Sequence, residues 1–287
     1  MGFVDWLKGA FGKQPCAFCS AEVGMLKRTK IKNKEFICND CKRTCSRFIQ
    51  VYRLTKDELL GHMEYMKRQE QLIREVVGEP SEVVPSASSE QSIEFYDHCG
   101  MFRIRDDDYD GRYARELFRY DQVAKYEPFC RESEPEEQGK PKVFDACGVT
   151  ISLVGAREDL ACDTKGLRAH PYITDEIEVV VNKRDKRIGM MDVDHIITHF
   201  NVIFGVGDDS NGLFGFGPTA QQRRQGEALK AMGGMVSAAV KAAQRGAVSE
   251  EAAAQVNDAM NKVSDAATHG LAKYTRLADE AEAKIPY

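Results

Sequence analysis

Two Cys-x-x-Cys pairs, Cys16/Cys19 and Cys38/Cys41, constrain this chain more than any other feature. Eighteen residues separate them. A thiolate pair spaced by two residues can bend around one side of a metal ion, and two pairs complete a tetrahedron. The piece from Cys16 to Cys45 holds about 30 residues, below the roughly 40 at which an apolar core usually supports a fold alone. Metal supplies what is missing: structural zinc contributes an apparent ~10–16 kcal/mol near neutral pH, and in such modules this is folding free energy. Val23, Leu26, Ile31, Phe36 and Ile37 offer a small apolar face around the ion. The spacing therefore predicts a zinc ribbon over residues 14–54, with one structural Zn2+ on Cys16, Cys19, Cys38 and Cys41. Cys45 is a further candidate ligand out of register, and Cys41, which makes the second pair, is the expected one. Four thiolates leave no open position for water or substrate, so the expected site is a staple rather than a reaction centre.

The other five of the nine cysteines, Cys45, Cys99, Cys130, Cys147 and Cys162, are an odd number with no close pairing. That pattern fits reduced thiols better than a secreted disulfide framework. No signal peptide is visible, and no run approaches the roughly 18 apolar residues of a membrane span. The expected location is cytoplasmic. Net charge is −5, which argues against nucleic-acid binding by bulk charge. Residues 16–53 nevertheless carry nine Lys/Arg against three Asp/Glu, whereas residues 106–108 and 132–137 are acidic.

Around the ribbon the chain divides by pattern. Residues 1–13 read as a short amphipathic helix, with Phe3, Trp6, Leu7 and Phe11 near one face. Packing on the rest of the protein is its simplest use; a partner or a membrane surface is the alternative. Residues 55–78 read as a helix opened by a Thr55…Glu58 capping box and closed at Gly78 before Pro80. Leu59, Met63, Met66, Ile73 and Val77 give it an apolar stripe. Residues 79–92 hold two prolines and five serines and read as a linker. Residues 93–205 read as a β-rich domain ending in a helix. Its candidate strands are 93–96, 101–105, 116–120, 123–129, 148–154 and 176–182, and Asp192 is the candidate cap of the helix through Phe200 and Ile203. Irregular polar connections favour an antiparallel sheet or small barrel over a doubly wound fold. A glycine-rich loop follows at 206–218. Residues 219–287 read as a helical hairpin whose second helix, capped by Ser249, carries Val256, Met260, Val263, Leu271, Tyr274 and Ala278 near heptad spacing, suited to self-association. The fold class is α+β: a zinc ribbon plus helix, a central mainly antiparallel β domain, and a C-terminal helical hairpin.

This order resembles a family of uncharacterised bacterial proteins built on an N-terminal zinc-ribbon domain of unknown function. The resemblance is carried by Met1-Gly2-Phe3, Cys16/Cys19, the Leu/Lys-rich stretch 26–34, Cys38/Cys41 and the Thr55…Glu58 helix start. It continues more loosely at 151–153, at 170–173 and 175–177, and in the helix at 221–232. It implies zinc on the four cysteines and no established activity.

Other motifs carry less chemistry. His195 and His199 stand four apart on the helix, a spacing that places two imidazoles on one face, with Asp192 or Asp194 as a third ligand. A zincin would need Glu at the position of Ile196. A metal-dependent hydrolase using this second site is thus one alternative function. Asp106, Asp107, Asp108 and Asp110 read as a solvated acidic turn. Lys27, Arg28, Lys30, Lys32 and Lys34 can contact phosphates, with Phe36 free to stack on a base, so a nucleic-acid-binding protein is another alternative. No catalytic set stands out. The leading expectation is a non-enzymatic zinc-ribbon adaptor whose partner is a protein or a second copy.

Overall fold

Strand alternation and helix caps build the elements in the order the pattern requires. The computed structural model describes residues 12–85, 90–106, 108–135, 140–154, 167–172, 176–205 and 271–285. The N-terminal module has two short hairpins. β1 (Gln14–Pro15) pairs with β2 (Glu22–Val23), and β3 (Arg28–Lys30) pairs with β4 (Phe36–Cys38), both antiparallel. A short helix, α1 (Asn39–Arg43), follows directly. Then comes α2 (Lys56–Leu72), where the Thr55 hydroxyl accepts from the Glu58 N–H (3.3 Å) and the Glu58 carboxylate accepts from the Thr55 N–H (2.7 Å). The last turn, Ile73–Val77, widens to a π-helix and ends at Gly78 with φ of 65°. That wider turn absorbs one extra residue, so Leu72 and Val77 both face the core.

The central region contains two antiparallel meanders. The first sheet has the order β5 (Glu82–Val84), β6 (Gln91–Tyr96), β7 (Met101–Asp106), β8 (Leu117–Arg119). The second is formed by β9 (Val123–Ser133), β10 (Val143–Leu153) and β11 (Ile177–Asn182), with β10 in the middle. The antiparallel expectation holds, and six of these strands lie where alternation placed them. Two details differ. The stretch 79–92 contributes an edge strand, β5, with Val84 buried, although its prolines and serines read as a linker. The helix that follows the second sheet, α3 (Lys186–Ile203), begins well before Asp192. Its cap is Asp185, whose carboxylate accepts from the Ile188 N–H at 3.0 Å. The first turn of α3 is polar or exposed, so hydrophobic periodicity could not reveal it.

The core lies between the sheets and is closed by α3. Phe200 stacks on Tyr126 of β9 (5.0 Å between centroids) and meets Phe95 of β6 and Phe102 of β7 edge-on (5.4 and 5.5 Å). Ile31, Ile37, Cys45, Ile49 and Val51 of the N-terminal module belong to the same apolar cluster. The module is therefore built into the main core. α2 runs beside the β8 edge, where Gln69 Oε1 accepts from the Leu117 N–H at 3.2 Å, satisfying an edge donor that would otherwise need water.

A helical segment over 271–282 docks on the first sheet. Ala278, Ala281 and Ile285 pack against Leu72, Val77, Tyr96, Cys99, Met101 and Leu117. Gly100, with φ of 65°, lets the Tyr274 backbone approach to a place where any Cβ would collide. The expected stripe residues Leu271 and Tyr274 thus face the protein's own core. The rest of the expected hairpin, the glycine-rich loop and the amphipathic start at 1–11 lie outside the described residues. Among those described, no helix is long and apolar enough to cross a membrane.

Candidate metal centre

Two loops deliver the four thiols. In the first, the Cys16 N–H bonds Ala21 O and the Ser20 N–H bonds Cys16 O (both 2.9 Å), with Ser20 at a φ of 59°. This tight turn points Cys16 and Cys19 the same way. The second loop is the β4–α1 junction, where Cys38 is both the last strand residue and the N-cap of α1. The Ala17 N–H to Phe36 O bond (2.8 Å) fixes one loop against the other. All four Sγ atoms lie within 4.8 Å of one another, and Cys19 Sγ is 3.7 Å from Cys38 Sγ. A tetrahedron of sulfurs at about 2.3 Å from a central ion has edges of about 3.8 Å. A disulfide needs about 2.05 Å. The spacing is that of a metal cage.

Backbone dipoles complete the cage. The Cys38 N–H reaches Cys16 Sγ (3.4 Å) and the Cys41 N–H reaches Cys38 Sγ (3.3 Å), both favouring thiolate. Burial alone would push the Cys16 thiol up, but N–H groups of Cys19, Cys38 and Phe18 outweigh it and bring it down to about 6. Burial, followed by its cysteine neighbours, pushes Cys41 well up. Cys45 is no ligand: it is fully buried in the apolar core, its Sγ turned toward Cys41 O at 3.9 Å, and burial pushes it up to about 12.

These residues also carry the similarity to other proteins. Residues 14–62 match the model of a family described as a domain of unknown function, DUF4428. The matched stretch starts at β1, contains the whole cysteine cage and ends inside α2. The looser resemblances at 151–177 and 221–232 lie beyond it. No curated protein and no solved structure matches the chain.

The remaining sequence candidates find other partners. The basic run is only partly free. Arg28 donates to Gly12 O (2.7 Å) and Val23 O (3.3 Å), and its guanidinium lies 4.6 Å over the Phe36 ring. Phe36 therefore has one face covered. Lys27, Lys30, Lys32 and Lys34 are exposed. In the acidic turn, Asp106 is buried and pairs with Arg47 (2.6 Å) and Gln91 (2.7 Å), while Asp110 faces Arg103 at 3.3 Å. It is a structural junction more than a solvated turn.

His195 and His199 do share one face of α3, but Glu82 of β5 joins them. It meets His195 Nε2 at 2.8 Å and His199 Nδ1 at 2.6 Å. His199 Nε2 faces Asp97 at 3.2 Å, and Asp97 also accepts from the Tyr120 hydroxyl at 2.6 Å. Asp192 and Asp194 are not the partners. Among the described residues only the four cysteines form a group of three or more with metal-binding spacing. Burial would push His199 down, yet Asp97 and Glu82 hold it above its ordinary value. Both ring nitrogens face carboxylates, so the imidazolium is the form that satisfies both. A raised folded value means that the stabilisation is complete below the ordinary histidine range of about 6.5 and is lost as pH climbs through the raised value. Urea midpoints should fall as pH rises above about 6.5 in the native chain, and His199→Gln should flatten that slope. An unchanged slope in the variant would remove His199 as its source.

A second polar cluster was not visible in the sequence. Glu116, buried beside β8, accepts from the Ser46 hydroxyl and faces His170 Nε2 at 3.1 Å. The Ser46 N–H donates to His62 Nε2 at 3.0 Å. Burial, against a smaller opposing pull from Glu116, takes His62 down to about 4, so it is neutral at ordinary pH. This cluster ties the segment just after the cage to α2, β8 and the 167–172 stretch.

Proposed function

We propose that this chain is a non-enzymatic, zinc-stapled interaction protein. Zn2+ on Cys16, Cys19, Cys38 and Cys41 holds a small basic surface in shape, and a protein partner recognises that surface. The observation that carries the reading is Leu26, 93% exposed beside Met25 at 50% in the Met25–Lys27 turn. Among the described residues nothing covers this large apolar side chain, which stands on the link between the two hairpins of the module. Exposed Lys27, Lys30, Lys32 and Lys34 follow it in sequence. An apolar knob that leads into a cationic stretch suits an acidic partner surface with an apolar pocket.

The test is affinity capture from native cells, followed by titration of the captured partner with the purified chain. Leu26→Asp is expected to weaken binding by at least about 30-fold, the size of an interface hot spot of 2 kcal/mol. Its melting temperature should stay near that of the native chain. Unchanged binding by Leu26→Asp would exclude this surface. Nucleic acid remains the second reading through the four exposed lysines. It requires steep salt dependence and loss of binding on charge reversal at Lys30, Lys32 and Lys34. The hydrolase reading requires a second metal at His195 and His199, and elemental analysis giving one metal per chain would remove it.

A further inference from the structure

β9 and β10 bring together two cysteines that stand far apart in sequence. Cys130 and Cys147 are direct cross-strand partners in the antiparallel ladder. Both are free thiols. Directly opposed residues project from the same face of a sheet. A proline fixes which kind of pair they form. Pro128 sits opposite Val149 and has no N–H to give to β10. β9 is the outer strand of its sheet, so the Pro128 nitrogen turns to the open edge and its pair with Val149 is of the non-hydrogen-bonded kind. Pair types alternate along the ladder. Gly148 with Phe129 therefore exchanges hydrogen bonds, and Cys147 with Cys130 does not. The register is continuous over these pairs, its shifts lying at Phe144/Ala146 and Ser152/Leu153. In a non-hydrogen-bonded pair the Cα atoms are about 4.5 Å apart and the side chains are closest. This falls within the ~4.4–6.8 Å that a disulfide spans.

The surroundings assign different parts to the two thiols. Cys147 is fully buried under α3, where Gly189 leaves room for its sulfur and any Cβ would strike it. Cys130 is half-buried and lies near Lys186 at the start of α3. The accessible thiol is thus Cys130, and Cys147 stands behind it.

We propose that Cys130 and Cys147 are an oxidisable pair that closes to a cross-strand disulfide, with a low-molecular-weight disulfide such as oxidised glutathione as oxidant. Cys130 loses its proton and attacks one sulfur of the oxidant. The oxidant's S–S bond breaks, and one glutathione leaves and takes up a proton. Cys147 then loses its proton and attacks Cys130 Sγ, expelling the second glutathione, which is protonated in turn. Two protein thiols become one disulfide, and one glutathione disulfide becomes two thiols. The second attack is the slow one, because burial, with the neighbouring Cys130 and Asp192, pushes the Cys147 thiol up to about 11. The bond locks the β9–β10 register under the start of α3.

The test uses the full chain, purified with Zn2+ and equilibrated in glutathione buffers from reducing to oxidising. Samples are quenched in acid, alkylated and mapped by peptide mass. The expected product joins the Cys130 and Cys147 peptides with the loss of two hydrogens, and its fraction rises with the oxidised share of the buffer. Cys130→Ser should abolish it and leave Cys147 alkylatable. Cys147→Ala, useful should Cys130→Ser fail to fold, should stop the reaction at the Cys130 adduct. The proposal is overturned if both thiols of the native chain stay alkylatable in the most oxidising buffer. Recovery of Cys130 only as a glutathione adduct, or of either thiol joined to a different cysteine, overturns it equally.

Discussion

Stripping the metal from the full chain is expected to abolish hydrogen-exchange protection over residues 14–53. Outside the cage, the buried apolar residues of the module are Ile31, Ile37, Cys45, Ile49 and Val51, few for its length, and two-residue strands such as β1 and β2 cannot hold themselves. A metal in the cage would supply the rest: with the proposed zinc, an apparent ~10–16 kcal/mol near neutral pH. Cys38→Ser isolates that contribution. Serine can still cap α1 as Cys38 does for the Cys41 N–H, but its hydroxyl is a poor soft-metal ligand. The damage should also spread. Ser46 holds Glu116 and His62 in place, so protection near β8 and the middle of α2 should fall with that of the ribbon. The second sheet, β9–β11, should be spared. Exchange measured with and without a chelator decides the matter, and unchanged protection at β3 and β4 would mean that the cage is not what holds the module.

How far the sequence carries depends on how local each determinant is. The cage is legible because each ligand pair lies within one turn and the two pairs lie on one short module. The Thr55…Glu58 cap is legible because both partners lie within four residues. Strand β11 is legible because its buried and more exposed residues alternate, and β6 because Ile93 and Phe95 alternate with the polar Ser92 and Glu94, although both of its faces are buried. Determinants that depend on distant partners are hidden. His195 and His199 could be placed on one helix face, but their partners Glu82 and Asp97 come from the first sheet, about 100 residues away. Cys130 and Cys147 look unpaired until the register of β9 and β10 is known, and that register is marked only by Pro128. β5 is hidden for a different reason: three residues among prolines and serines are too few to show a period.

Arg119→Met is expected to be the most damaging substitution outside the cage. The Arg119 side chain is 4% exposed, and it grips Asp121, 2% exposed, with two bonds of 2.9 and 2.8 Å. It also reaches Glu282 and Asp279, each at 2.8 Å, and so pins the helix over 271–282 to β8. Methionine fills similar space but leaves the Asp121 carboxylate buried and unpaired. Breaking a buried pair from one side costs about 3–5 kcal/mol, roughly 10 °C in melting temperature for a chain of this size. The more exposed acids Asp279 and Glu282 lose less in energy, but they lose their anchor, and among the described residues Arg168 is what still holds them, at 3.1 and 3.6 Å. Protease cleavage within 271–285 should therefore rise in the variant. The double change Arg119→Met with Asp121→Leu separates the two causes. Removing both buried charges should restore most of the melting temperature, while the terminal helix stays protease-sensitive because its clamp is still missing. If the double variant melts as low as the single one, the loss comes from packing and not from an orphaned carboxylate. If cleavage in both matches the native chain, the apolar seat formed by Leu72, Met101 and Leu117 holds the helix without the arginine.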